Sequence, residues 1–368
     1  MKIVSVMTGV HRGGAEFAAG ELLDALVGRG HEAVMLSDWP GIGRDTRIEV
    51  RPLELGPKLS TRSLATLALR WPLLRRRLRE ALEREAPYDV LLLHFKKEQL
   101  LAPSLPAALR PRVAWAEWGP VPRQLSHGPG GRLYAAAGRE VVAVLAISAG
   151  TRDSVIAAGV DPDRVAVLPN ALRTAKLGFR APDRARVREE LGIAADAFVV
   201  GCTSRFHPKK RLDVLVDAFA QLPGAPHLIL AGAGETEDEL RRRAAPLGER
   251  VHFLPTPGDD PAALFSSFDV VAFCPSPTEG SPTSVVLGMF AGRPCVSTAA
   301  EGVAGLVEEG MGKIASPEND PAAVAAALRE YADDPERVSR EGQRAAERAR
   351  ERFDADVVGA QAERLISA

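Results

Sequence analysis

The segment that decides the fold runs from Asp269 to Ala291 and reads DVVAFCPSPTEGSPTSVVLGMFA. The short apolar run Val270–Cys274 predicts a buried strand, and Ser284–Ala291 predicts a helix. Between them lie a carboxylate, Glu279, and several small residues. A helix that begins just after a strand presents unpaired N–H groups and the positive end of its dipole, which attract anionic oxygens. The segment therefore predicts a βα unit that can hold a sugar hydroxyl and a diphosphate.

Composition sets the general class of the protein. The chain has 368 residues, of which 46% are hydrophobic and 26% charged, as is typical of a globular protein with room for two domains. A formal net charge of −1 argues against a general nucleic-acid-binding protein. The three cysteines lie far apart in apolar segments, which favours buried thiols over disulfides or a metal site. The apolar run at the start of the chain is too short for a signal peptide, and no apolar run is long enough for a membrane span. We therefore expect a cytoplasmic protein.

The order of the predicted elements indicates how the chain is organised. Short apolar runs alternate with helical patterns, which predicts an α/β fold with parallel sheets. The alternation restarts after a polar, irregular stretch. We predict a first domain at 1–170, a linker at 171–195 with one helix, a second domain at 196–350 and a C-terminal helix at 351–368 that packs back on the first domain. The predicted strands are Ile3–Met7, Ala33–Leu36, Val90–Leu93, Val113–Trp115, Val142–Ile147, Val165–Leu168, Phe198–Cys202, Leu228–Ala231, Val251–Leu254, Val270–Phe273 and Cys295–Thr298.

Glycines and cations follow several of these strands. Gly13 and Gly14 follow the first strand, where paired glycines let a phosphate approach the backbone; a tight turn explains them equally well. Arg205 and Lys210 follow the first strand of the second half and can reach one diphosphate, whereas a solvated basic turn is the alternative. For Gly232, after the next strand, a structural turn is the simpler interpretation.

Taken in order, five motifs resemble the retaining GT-B glycosyltransferases of family 4. They are Gly-Gly-Ala-Glu at 13–16, Pro-Asn at 169–170, Arg and Lys at 205 and 210, Gly-x-Gly-Glu at 232–235 and Glu-Gly-x-Pro at 279–282. The resemblance covers nearly the whole chain, from Ile3 to Pro321. It implies two Rossmann-like domains that face each other across a cleft. The second would bind a nucleotide-diphosphate sugar and the first its acceptor, with no metal and no cofactor.

The resemblance also implies roles for individual residues. Arg205 and Lys210 would neutralise the diphosphate, and Glu279 would bind hydroxyls of the transferred sugar. The backbone of Gly14 would approach the phosphates from the other domain. Further contacts to the donor are implied for Gly13, Gly232, Leu254, Pro255, Gly280, Thr283 and Ser284.

Two positions depart from the pattern of the family. Leu287 stands where a second glutamate usually holds the ribose, and leucine accepts no hydrogen bond, so the ribose must be held otherwise. Trp118 or Glu117 stands where a histidine is expected near the reacting sugar. His94, at the end of another strand, is a further candidate for that role, and Glu117 is a candidate base or acceptor-positioning group.

These features predict a metal-independent, retaining glycosyltransferase with a nucleotide-diphosphate donor, UDP-linked in the first instance, and a small-molecule or saccharide acceptor. A composition rich in arginine and alanine suggests a GC-rich bacterial genome, and with it an acceptor from specialised metabolism or the cell envelope. Two alternatives stay open: a catalytically silent protein that binds sugar nucleotides, and a GT-B epimerase of the nucleotide sugar. The basic stretch 71–85 could lie on an anionic membrane, but interleaved glutamates favour an exposed, salt-bridged helix.

Overall fold

The computed structural model describes residues 1–8, 14–38, 46–56, 61–174, 177–258, 260–277, 282–300, 302–303 and 305–367. The chain forms two compact units. The first unit comprises Met1–Leu172 and Phe353–Ala368, and the second comprises Arg173–Arg352. Each is built around one parallel β-sheet covered by helices.

The sheet of the first unit contains, within the described residues, seven parallel strands in the order β3-β2-β1-β4-β5-β6-β7. The strands are β1 (Lys2–Met7), β2 (Glu32–Ser37), β3 (Glu49–Pro52), β4 (Val90–Leu93), β5 (Val113–Glu117), β6 (Val141–Ala146) and β7 (Val165–Val167). The helices are α1 (Gly14–Gly28), α2 (Thr61–Glu85), α3 (Lys96–Leu101), α4 (Arg123–Ser126), α5 (Gly128–Gly138) and α6 (Ala149–Ala157), with α14 (Ala355–Ser367) from the end of the chain.

Both faces of this sheet are buried, because helices cover them and successive strand residues alternate between them. Val4 and Val6 belong to the core on one face, together with residues of α2, α3 and α5. Ile3 and Met7 belong to the core on the other face, together with residues of α1 and α14. The last helix of the chain thus completes the core of the first unit.

The sheet of the second unit contains, within the described residues, six parallel strands in the order β10-β9-β8-β11-β12-β13. The strands are β8 (Val199–Thr203), β9 (His227–Ala231), β10 (Val251–Leu254), β11 (Val270–Phe273), β12 (Cys295–Thr298) and β13 (Gly312–Ala315). The helices are α7 (Ala181–Glu190), α8 (Leu212–Phe219), α9 (Glu237–Ala244), α10 (Pro261–Ser267), α11 (Thr283–Phe290), α12 (Pro321–Ala332) and α13 (Pro335–Phe353).

Helix α7 lies inside the stretch 171–195 that the sequence suggested as a linker. Its Arg188 is 2% exposed and donates to Asp269 at 2.8 Å, and Arg184 donates to the other oxygen of Asp269 at 2.6 Å. Asp269 also accepts from the main-chain N–H of Val199 at 2.8 Å. Buried charges are stable only when paired in this way, so α7 is an integral part of the second unit.

Two strands were not predicted, and both lie at the edge of a sheet. The strand β3 reads Glu-Val-Arg-Pro and β13 reads Gly-Lys-Ile-Ala. An edge strand pairs with only one neighbouring strand and is often partly exposed to solvent, so its sequence need not be apolar. The predicted central strands correspond to observed ones to within one or two residues.

The basic stretch 71–85 forms the C-terminal part of α2. Arg76 pairs with Glu80 at 2.7 Å and Arg79 with Glu83 at 3.1 Å, both one helical turn apart. These pairs agree with the interpretation as an exposed, salt-bridged helix. In the described parts of the chain, no helix combines the length and the apolarity needed to cross a membrane.

Candidate functional site

The strand order of the second unit reverses between β8 and β11, and such a reversal marks the place where open parallel sheets bind ligands. The loop after β8 contains Arg205 and Lys210, and the loop after β11 leads into α11. Their backbones meet there, because the N–H of Ser276 donates to the carbonyl of Lys209 at 2.8 Å. The loop after β8 and the beginning of the loop after β11 therefore lie side by side at the carboxyl ends of the strands.

Two glycines allow the loop after β9 to pack closely against the Arg205 loop. A Cβ on Gly232 would lie 1.9 Å from the carbonyl oxygen of Ser204, and one on Gly234 would lie 2.2 Å from that of Phe206. Both glycines have positive φ angles, +154° and +156°. The Gly-x-Gly motif thus lets two loops approach as no other residue would allow. Gly232 contributes to the candidate site by shaping this loop.

Arg205 is exposed, and its guanidinium makes no hydrogen bond or ion pair with the residues that the structure describes. Lys210 is half-buried, with its Nζ 5.5 Å from the centre of the Phe273 ring. One residue further, Arg211 adopts a left-handed conformation with φ 47° and donates to Asn319 at 3.0 Å. A left-handed non-glycine residue costs about 1 kcal/mol or more, and such strain concentrates at functional sites.

Helix α11 follows the loop after β11. Thr283 and Ser284 form its first turn, where the main-chain N–H groups have no partner within the helix. The predicted Glu279 and Gly280 lie outside the described residues, as does Gly13 of the first unit. Gly14 is the first residue of α1.

Leu254 ends β10, and its carbonyl accepts from the N–H of Gly232 at 2.9 Å. Pro255 follows it and is exposed. Both residues therefore lie at the same edge of the sheet as Arg205. Leu287, at the position of the family's second glutamate, is half-buried in the middle of α11.

In the first unit, His94 directly follows β4 beside the strand reversal between β1 and β4. It is 2% exposed, its Nε2 lies 2.7 Å from Ser5 Oγ, and its Nδ1 accepts from the indole N–H of Trp118 at 3.2 Å. Burial lowers the pKa of His94 to about 3. His94 is therefore neutral and held from both sides, an arrangement that does not favour direct contact with a reacting sugar.

Glu117 ends β5 and is 3% exposed. One carboxylate oxygen forms an ion pair with Lys96, and the other accepts from the hydroxyl of Tyr134 at 2.8 Å. The Lys96 ammonium also lies 4.6 Å from the centre of the Tyr134 ring. Because both oxygens are engaged, the structure does not favour Glu117 as a general base and assigns it to a buried polar network at the sheet edge.

Sequence reasoning missed the start of α3, where three consecutive polar residues, Lys97, Glu98 and Gln99, are at most 2% exposed. One oxygen of Glu98 accepts from both the N–H and the hydroxyl of Thr8, at 2.9 and 2.8 Å. The other oxygen of Glu98 has no hydrogen-bond partner among the residues that the structure describes, and burial raises the pKa of this carboxyl to about 7. Thr8 directly follows β1, so Glu98 joins the ends of β1 and β4. A charged run right after an apolar strand is the signal that could have found it.

The described residues contain no group of three His, Cys, Asp or Glu side chains that could hold a metal ion. All three cysteines are free and buried, as predicted. In the second unit, the loop after β8 and the first turn of α11 instead offer the cations Arg205 and Lys210, hydroxyls and main-chain N–H groups. These are donors, so the second unit's edge suits a phosphorylated ligand.

Two family comparisons cover most of the chain. Residues 12–176 match the family described as Glycosyltransferase Family 4, and residues 197–334 match the family described as Glycosyl transferases group 1. Each match corresponds to the α/β part of one unit.

Curated relatives include D-inositol 3-phosphate glycosyltransferases. The protein of Acidothermus cellulolyticus is 32% identical over 184 residues, which are 46% of this chain and 41% of that protein. The protein of Streptomyces griseus is 31% identical over 210 residues, 53% of this chain and 44% of that protein. The aligned part thus spans less than half the length of these relatives.

Solved structures resemble the whole chain. HepE of Anabaena, in complex with UDP and glucose, superposes with a TM-score of 0.82 at 22% identity, covering 100% of both chains. Sucrose-phosphate synthase of Thermosynechococcus elongatus gives a TM-score of 0.79 at 18% identity, covering 100% of this chain and 98% of that one. At these identities the likeness concerns the fold, which is GT-B with two Rossmann-like domains. The two family matches, at 12–176 and 197–334, show that the chain belongs to the family 4 type of glycosyltransferases.

Proposed function

We propose that the protein transfers a sugar from a nucleotide-diphosphate donor, UDP-linked in the first instance, to a saccharide or small-molecule acceptor. The observation that carries the proposal is the contact between the Arg205–Lys210 loop and the loop after β11, at the strand reversal of the second unit. Family membership supports it, as does the presence of UDP in the complexes of HepE.

In this reaction the bond between the sugar's anomeric carbon and the diphosphate oxygen breaks, and the acceptor oxygen bonds to that carbon from the same face. The acceptor's proton passes to an oxygen of the departing diphosphate. Arg205 and Lys210 offset the negative charge that develops on this leaving group, and such stabilisation is commonly the largest contribution to catalysis. We propose retention of configuration on this basis, with no requirement for a metal ion or cofactor.

The first unit would bind the acceptor. Its sheet edge carries the Lys96–Glu117–Tyr134 network and the Glu98–Thr8 contact, which fix the ends of β1, β4 and β5 relative to one another. A rigid edge of this kind can hold an acceptor hydroxyl in one orientation, and such preorganisation can lower the activation barrier by several kcal/mol. The named relatives act on an inositol phosphate, so a cyclitol phosphate belongs in any screen of acceptors. Cell-envelope or specialised metabolism in the cytoplasm remains the proposed setting.

The test is turnover of UDP-glucose, UDP-galactose and UDP-N-acetylglucosamine, measured as UDP release with and without a panel of acceptors. Lys210→Ala should lower turnover about a hundredfold, the usual loss for one charge-stabilising donor. Lys209→Ala is the matched control, since this neighbouring lysine is exposed and should leave turnover unchanged.

Nuclear magnetic resonance of the product's anomeric proton tests retention. If every donor is bound but stays intact, the protein is a silent binder and the proposal is wrong. If the donor sugar changes configuration without any acceptor, the protein is an epimerase. Equal turnover in Lys210→Ala and the wild type would remove Lys210 from the mechanism.

A further inference from the structure

Trp118 follows β5 at the carboxyl edge of the first unit's sheet and is only half-buried. Part of its indole packs against the core shared by α1 and α14. The neighbouring residue is Gly119, where an added Cβ would meet no atom of the described chain within 4 Å. The tryptophan therefore borders open space at the edge where this fold binds its ligands.

The orientation of the Trp118 ring is fixed by His94. The indole N–H donates to Nδ1 of His94 at 3.2 Å, and the two ring planes lie only 7° apart with centroids 5.8 Å apart. The two ring planes are thus nearly parallel, and the indole N–H points toward the imidazole. Since Nδ1 accepts this bond, the proton of the neutral imidazole is on Nε2, which donates to Ser5 Oγ at 2.7 Å.

Two properties of this arrangement matter for a ligand. The indole N–H is used inside the protein, so what Trp118 offers outward is an apolar ring face. The surrounding strand ends carry polar groups, namely the Lys96–Glu117 pair and the Ser148 hydroxyl at the start of α6. An apolar platform with polar groups around it fits a ring with a flat C–H face and hydroxyls on its rim.

We propose that Trp118 is the platform on which a saccharide ring of the acceptor stacks, and that His94 positions this platform through the indole N–H. This inference rests on the proposed function and names the acceptor class. Because His94 is neutral, its Nδ1 lone pair stays available for the indole. His94 is a positioning residue, and Trp118 is the residue that touches the acceptor.

Kinetics with the acceptor found in the screen provide the first test. Trp118→Ala should raise the acceptor KM about tenfold, the scale of one aromatic contact, while the donor KM changes less than threefold. Trp118→Phe keeps a ring and should raise the acceptor KM about threefold. The matched control is Trp71→Phe on α2, a partly buried tryptophan of the other core, which should leave the acceptor KM unchanged.

A matched pair at His94 tests the positioning role. The amide of His94→Gln can accept from the indole and donate to Ser5, so its acceptor KM should stay within twofold of the wild type. His94→Leu has no acceptor atom and should raise the acceptor KM severalfold with little change in kcat. Equal values for the two variants would overturn the role of His94.

Intrinsic fluorescence tests binding without turnover. In the presence of UDP, methyl α-D-glucopyranoside and methyl β-D-galactopyranoside should change the emission in a saturable way that Trp118→Phe reduces. Benzyl alcohol is the aromatic comparison, and saturable binding of it alone would overturn the saccharide assignment. An unchanged acceptor KM in Trp118→Ala, or a parallel rise in both KM values, would also overturn it. Absence of any wild-type turnover would instead contradict the proposed function, while the fluorescence result still decides the role of Trp118.

Discussion

Two buried groups four residues apart should give the first unit opposite dependences of stability on pH. Burial lowers the pKa of His94 from 6.5 to about 3 and raises that of Glu98 from 4.5 to about 7. Between pH 4.5 and 6.5 the unfolded chain carries a proton on His94 that the folded protein lacks. In the same range the folded protein carries a proton on Glu98 that the unfolded chain lacks. The two differences in proton binding cancel.

The magnitude follows from linkage, since one proton bound differently changes the free energy of unfolding by about 1.4 kcal/mol per pH unit. The His94 contribution is complete above pH 6.5 and is lost as the pH falls toward 3, whereas the Glu98 contribution is complete below pH 4.5 and is lost as the pH rises toward 7. His94→Gln should therefore make stability fall, relative to the wild type, by about 3 kcal/mol between pH 4.5 and 6.5. Glu98→Gln should make it rise by a similar amount, and the double variant should again match the slope of the wild type.

Urea unfolding followed by tryptophan fluorescence is the appropriate assay, because all four tryptophans lie within residues 39–118 of the first unit. Slopes relative to the wild type remove the contributions of all other titrating groups. If both single variants change the slope in the same direction, or if neither changes it, the assigned protonation states of His94 and Glu98 are wrong.

Two further predictions concern the second unit. Gly232→Ala should lower the free energy of unfolding by about 2 kcal/mol through overpacking, because the added Cβ would lie 1.9 Å from the Ser204 carbonyl oxygen. The substitution should also weaken UDP binding, because it displaces the Arg205 loop. Urea unfolding and calorimetric titration with UDP measure both effects; Gly178→Ala, which has no such neighbour, is the control, and equal results for the two would contradict the role of Gly232. Asp269→Ala should lower the free energy of unfolding by about 3 to 5 kcal/mol, since it removes the carboxylate that pairs with the buried Arg188. Circular dichroism during urea unfolding measures this cost, and a loss below about 1 kcal/mol would show that α7 does not depend on the pair.

The sequence predicted much of the candidate site in the second unit, because the signals there are local. Arg205 and Lys210 lie in the loop after β8, Thr283 and Ser284 open the helix that follows β11, and a parallel sheet brings all its carboxyl ends to one edge. The order of the strands in the sheet could not be predicted from local sequence. The order that places β8 next to β11, and so joins the two loops, arises from the packing of the whole sheet.

The first unit was harder to predict because its polar groups are paired over long distances in the sequence. Glu117 appeared as a candidate base, yet its partners Lys96 and Tyr134 come from two other elements. Burial of Glu98 depends on Thr8, 90 residues earlier in the chain. A side chain's charge state and freedom depend on such partners, so residue type alone could not assign these roles.

The amino-acid sequence by itself determined the α/β class, the central strands and the cations that follow them, because each depends on short-range hydrophobic periodicity and on residue type. The tertiary structure alone decided the edge strands, the attachment of α7 through Asp269, and the orientation of His94 toward Ser5 and Trp118. These features depend on strand order and burial, which only contacts between distant parts of the chain can define.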